Sequence, residues 1–144
     1  MQGLLTAAAL GLCAAIALPA SAAGGQDDII GAQLDKASEI YAKDGFHRID
    51  WGKRGAMNEG ESLRVPITLT GGHAYNFVGA CDQDCKDLNL VVTNSAGDVI
   101  GKDDAEDDVP IASVEPSTSG TYFVQVAMVK CSGSCDFGVG GFTK

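Results

Sequence analysis

Two residue types in this chain are spaced closely enough to act together: carboxylates and cysteines. The run Asp103-Asp104-Ala105-Glu106-Asp107-Asp108 places five carboxylates in six residues. Like charges at that spacing repel, so the segment tends to extend or to take up a cation. Calcium suits such a segment, because it is a hard ion that draws six to eight oxygen ligands from flexible loops. Asp82, Asp84 and Asp87 form a second acidic segment and join Asp103, Asp104, Asp107 and Asp108 as candidate calcium ligands. The competing reading is a solvated acidic loop that keeps the protein soluble. No stretch has the Asp-x-Asp-x-Asp-Gly spacing of an EF-hand.

The cysteines come as two Cys-x-x-x-Cys pairs, Cys81 with Cys85 and Cys131 with Cys135, plus Cys13 near the N-terminus. Four cysteines in an exported chain read as two disulfides. Local pairing needs no long-range assembly and is the expectation here. A five-residue ring contributes about 2 kcal/mol by loop entropy, against about 4 kcal/mol for a bridge such as Cys81 with Cys135, so the cross-loop alternative stays open. Structural zinc pairs usually have shorter spacing than these. Redox-active thiols usually sit at a helix N-terminus, whereas these fall in β-loops.

Nothing else in the sequence points to catalysis. There is no Gly-x-Ser-x-Gly elbow, His-Glu-x-x-His helix or phosphate loop. The histidines, His47 and His73, lie outside the acidic and cysteine-bearing segments. The expectation is a protein that is not an enzyme.

The elements that must position these residues belong to one domain of ordinary size. The chain has 144 residues, 45% apolar and 20% charged, with a formal net charge of −9. An acidic surface repels nucleic acid and anionic membranes, so neither is an expected partner. Residues 1–22 read as a secretory signal: Leu4 to Leu18 is apolar, Pro19 ends the run, and Ala20-Ser21-Ala22 supplies small residues for cleavage. Cys13 leaves with that segment, the mature chain begins near Ala23, and the protein is expected to be periplasmic or secreted, without membrane insertion after cleavage.

Asp27 to Lys43 is the one helical stretch expected in the mature chain. Ile30, Leu34, Ala37 and Tyr41 share a face, Asp27 and Asp28 occupy the first turn, and Gly45 stops it. Phe46 to Glu61 reads as a connector, with Trp51 packed in the core or covering a sheet edge. From Leu63 the apolar period becomes two. Strands are expected at Leu63–Leu69 (an edge strand, given Pro66), from Tyr75, at Leu88–Val92, from Val99, at Val109–Val114, at Tyr122–Met128 and from Phe137. Nineteen glycines and the Asn94–Gly97 turn separate them. The fold class is therefore mainly β, an antiparallel jelly-roll-like sandwich of seven to eight strands with one N-terminal helix. Successive reversals place Cys81–Cys85, Lys102–Asp108 and Cys131–Cys135 at one end.

The run Gly60-Glu61-Ser62, then Gly72-His73-Ala74-Tyr75-Asn76-Phe77, Asp87-Leu88-Asn89-Leu90, the turn at Asn94–Gly97, and Ser119-Gly120-Thr121-Tyr122 resembles the bacterial pre-peptidase C-terminal domain. That family is a jelly-roll-like sandwich appended to many secreted proteases. The resemblance covers roughly Gly60 to Phe142 and implies a binding or accessory role without hydrolysis. Asn89 stands where the family usually has aspartate. The chain divides accordingly into a signal (1–22), a helix and connector (23–59) and a sandwich (60–144). Two functions follow as expectations. One is a secreted module whose loop end engages an extracellular or cell-envelope ligand, calcium included. The other is a disulfide-stabilised structural domain that meets its partner through the helix.

Overall fold

The computed structural model describes residues 28–144. The expected signal segment, Cys13 and Asp27 lie outside the described residues.

Helix α1 spans Ile29–Ala42. Asp28 does not sit in its first turn, as expected from sequence, but caps it, its side chain accepting from the Gly31 amide at 2.9 Å. Ile30, Leu34 and Ala37 are buried. Tyr41 is half-buried between Phe46 and Phe142. No helix among the described residues is long and apolar enough to cross a membrane.

Eight strands follow: β1 (His47–Asn58), β2 (Ser62–Leu69), β3 (Tyr75–Cys81), β4 (Cys85–Thr93), β5 (Val99–Asp103), β6 (Ile111–Val114), β7 (Gly120–Cys131) and β8 (Ser134–Thr143). Two four-stranded sheets form, ordered β1-β8-β3-β6 and β2-β7-β4-β5, with every neighbouring pair antiparallel. This is an eight-stranded jelly roll. Strand β2, with Pro66, lies at a sheet edge as expected, where a missing N–H costs no ladder bond. Strand β6 begins two residues later than expected, because Val109 and Pro110 belong to the preceding loop.

The main correction concerns the segment before Gly60. It is not a connector: β1 pairs along β8 and forms the edge of the first sheet. Its apolar positions are sparse because an edge strand contributes only part of one face. Ile49, Trp51 and Met57 reach the core, while Arg48 and Arg54 face the helix and bind Asp35 and Asp28.

The main core lies between the sheets, around Phe77, Leu88, Leu90, Val124, Met128 and Phe137. A second core joins α1 to the outer face of the first sheet, with Ile30, Leu34 and Ala37 against Val78, Ala80 and Phe142. That sheet is thus covered on both faces, which is why β3 is buried throughout. Strand β8 supplies the bed for the helix. A Cβ at Gly138 would stand 2.5 Å from Ile30 Cγ2, so the close approach requires glycine.

Candidate functional site

Four connections meet at one end of the jelly roll: β1–β2 (59–61), β3–β4 (82–84), β5–β6 (104–110) and β7–β8 (132–133). Register explains the convergence. Cys85 opposes Cys131 in the β4–β7 ladder, Cys81 opposes Phe137 in the β3–β8 ladder, and Asn58 opposes Ser134. The Asn94 turn lies at the other end, where the Asn94 Oδ1 accepts from the Ala96 and Asp98 amides.

Disulfides join Cys81 to Cys85 and Cys131 to Cys135, with Cα atoms 6.0 and 6.1 Å apart. All four cysteines are buried. The two bridged loops are also fastened to each other. Asp82 Oδ2 accepts from the Asp136 amide at 2.7 Å, and the Asp82 amide donates to the Asp136 carbonyl at 3.1 Å. The Ser132 amide donates to the Asp84 carbonyl at 3.0 Å.

The seven candidate calcium ligands share this end but do not gather at one point. Among the described residues, no three His, Cys, Asp or Glu side chains are arranged to hold a metal ion. Most of the carboxylates already have partners. Asp103 accepts from the Ala105 and Ile111 amides, and Asp107 from the Val109 amide. Asp104 binds Lys102 at 2.6 Å, which lowers its pKa. Glu106 binds Lys130 at 2.6 Å, and its pKa is lowered by that ammonium. Asp108 is exposed, with its carbonyl 3.5 Å from Cys81 Sγ. Of the five charges in the run, Asp104 and Glu106 are paired with lysines, and Asp103 and Asp107 accept hydrogen bonds from backbone amides.

Asp87 stands apart from the others. It is only 6% exposed, it lies where the β4–β7 register slips, and its Oδ1 accepts no hydrogen bond from the protein. Burial raises its pKa; the Lys130 ammonium opposes this, and Glu106 and Asp107 add to it.

Asp82 and Asp84 instead line an open groove of about 1010 Å³ with Asp28, Arg54 and Asp136, between the start of α1, β1 and the first disulfide loop. Arg54 is committed to Asp28 through two hydrogen bonds, which hold that carboxyl well below the usual range. Of the four carboxylates that line the groove, Asp28 is paired with Arg54 and Asp82 accepts from the Asp84 and Asp136 amides, which leaves Asp84 and Asp136 as the exposed charges it presents.

Asp28, Asp136 and Lys130 were not among the site residues expected from sequence. For Asp136 a signal existed, since Cys135-Asp136 mirrors Cys81-Asp82. For Lys130 there was none, because its partner Glu106 is set by tertiary register.

In comparison with known proteins, the chain matches no family model and no curated protein.

Proposed function

We propose that this chain is an exported, non-catalytic binding or accessory module that takes a basic partner at its loop end, in line with its resemblance to the pre-peptidase C-terminal domain. The acidic groove carries this reading. Asp82 and Asp84 sit in the loop closed by the first disulfide and Asp136 follows Cys135 of the second at the start of β8, with the Asp82–Asp136 hydrogen bonds between them, so these carboxylates are held in place before a ligand arrives. A lysine- or arginine-rich segment of an envelope protein or extracellular polymer would relieve the repulsion among them. Calcium is the less favoured ligand, because the acidic run is engaged internally. The helix is the less favoured contact, because its apolar face packs on the sheet.

Titration of the exported chain with an oligolysine peptide tests the reading. Asp84→Asn with Asp136→Asn should weaken binding and flatten its salt dependence, since both side chains are exposed and face the groove. Glu115→Gln, at the opposite end, should bind as wild type does. Equal binding by all three proteins would overturn the proposal. A rise in melting temperature with calcium that is lost in the double variant would favour the calcium reading instead.

A further inference from the structure

The two disulfides are staples between the sheets. Cys81 of β3 and Cys135 of β8 belong to the first sheet, and Cys85 of β4 and Cys131 of β7 to the second. Each bridge therefore joins one sheet to the other across the main core. The second sheet sets the staples side by side, because Cys85 opposes Cys131 in the β4–β7 ladder. Hydrogen bonding fixes what kind of pair this is. The Ser132 amide donates to the Asp84 carbonyl, whereas the Cys85 amide donates to the Asp82 carbonyl and the Cys131 amide to the Glu59 carboxylate. Cys85 and Cys131 thus form a non-hydrogen-bonded antiparallel pair, the kind whose Cα atoms stand about 4.5 Å apart with side chains drawn together. That separation falls within the range of about 4.4–6.8 Å that a disulfide spans. Both side chains are buried in the same core. Cys81 and Cys135 are not matched in this way. Cys81 opposes Phe137 in the β3–β8 ladder, which makes Cys135 its diagonal neighbour, about 7–8 Å away and at the limit of bridging.

We propose that Cys85 and Cys131 form an exchange rung, through which a dithiol or phosphine reductant opens both staples in a single two-electron event. A dithiol that reduces one bridge becomes a disulfide itself and leaves two cysteine thiols. When Cys131–Cys135 is opened, the Cys131 thiolate attacks Cys85 Sγ. The Cys131–Cys85 bond forms, the Cys85–Cys81 bond breaks, and the electron pair leaves on Cys81, which takes up the proton that Cys131 gave up. When Cys81–Cys85 is opened instead, Cys85 attacks Cys131 Sγ and Cys135 is released. Both routes end in one species, with Cys85 bridged to Cys131 and with Cys81 and Cys135 as free thiols. No second reductant is consumed. The product has lost both cross-sheet staples and keeps one bridge, within the second sheet. Cys131 is 9% exposed against at most 1% for the other three, so it is where a reductant meets the pair. The rung belongs to β4 and β7 and does not depend on what the acidic groove binds.

Limited reduction of the folded chain with a substoichiometric phosphine, followed by acid quenching, alkylation and peptide mapping, tests the proposal. The fully oxidised chain should give local bridges alone. The two-electron-reduced chain should give a peptide joining Cys85 to Cys131, with the alkyl label on Cys81 and Cys135. Label on Cys81 with Cys85, or on Cys131 with Cys135, in place of that peptide would overturn the proposal. Joined peptides of mixed pairing, which unfolded chains produce, would overturn it equally. Three single variants run the same exchange with no reductant. Cys81→Ser and Cys135→Ser each free one member of the rung and should yield the Cys85–Cys131 peptide. Cys85→Ser frees Cys81, which has no cysteine opposite it, and should retain Cys131–Cys135. Local bridges in all three variants, or exchange in all three alike, would show that the rung does not operate.

Discussion

Trp51 Nε1 donates a 2.9 Å hydrogen bond to the carbonyl of Pro66, joining the edge strand of one sheet to the edge strand of the other. The same indole meets Phe77 edge-on in the core, with ring centroids 5.3 Å apart. At the opposite side of the sandwich, Asp103 of β5 accepts from the Ile111 amide of β6 at 2.8 Å. Each open side of the jelly roll is thus closed by one side-chain-to-backbone bond between sheets. Trp51→Phe should keep most of the packing and lose the bond, lowering stability by about 1 kcal/mol. Trp51→Ala should cost about 3 kcal/mol or more, since the core contact goes too. Urea unfolding of both variants separates the two contributions, and a Trp51→Phe variant as stable as wild type would mean the hydrogen bond contributes nothing.

Gly138 is expected to be the most demanding position of the helix bed. A side chain there meets Ile30 Cγ2 at 2.5 Å, so Gly138→Val should destabilise by about 1–3 kcal/mol and loosen α1. Shortening the opposing residue in Gly138→Val/Ile30→Ala should recover part of the loss. A double-mutant cycle measures the coupling. Strictly additive losses would show that the helix and β8 do not constrain each other there.

The disulfides close five-residue rings, so each should contribute modestly. Cys81→Ala with Cys85→Ala should cost about 2 kcal/mol by loop entropy. Non-reducing peptide mapping should give no fragment joining the two cysteine regions, since each bridge is local. A joined fragment would contradict the pairing.

Asp28 both caps α1 and binds Arg54, and its folded pKa is depressed. A depressed carboxylate stabilises the fold above its unfolded pKa, and that contribution is lost as pH falls below the ordinary carboxylate range. Asp28→Ala should therefore be less stable than wild type at neutral pH, and the gap should narrow in acid. Melting curves from pH 7 to pH 2.5 check this. A gap that stays constant with pH would assign the effect to packing rather than charge.

The strands from Leu63 onward could be read from sequence, because Leu63, Val65, Ile67 and Leu69, and later Tyr122, Val124, Val126 and Met128, alternate with more exposed residues. A half-buried strand enforces that alternation. The helix face Ile30, Leu34 and Ala37 was legible for the same reason at its own period. Strand β1 was not. With Arg48, Asp50, Lys53 and Arg54 among its residues, it pairs through its backbone, and backbone pairing leaves no apolar pattern.

For the candidate site, the sequence by itself determined the disulfide spacing, the acidic content and, through strand reversal, the end of the molecule where they meet. Only the tertiary structure decided what the carboxylates do there. Asp82 and Asp136 lie far apart in the chain and become neighbours because the loops holding Cys81–Cys85 and Cys131–Cys135 lie side by side. Asp87 resembles its acidic neighbours in sequence, yet it alone of the seven candidates is buried. Lys130 and the β5–β6 loop lie over it, and their placement depends on strand register. Local composition sets which charges exist; burial and pairing, which fix their energies, depend on contacts that no short stretch of sequence contains.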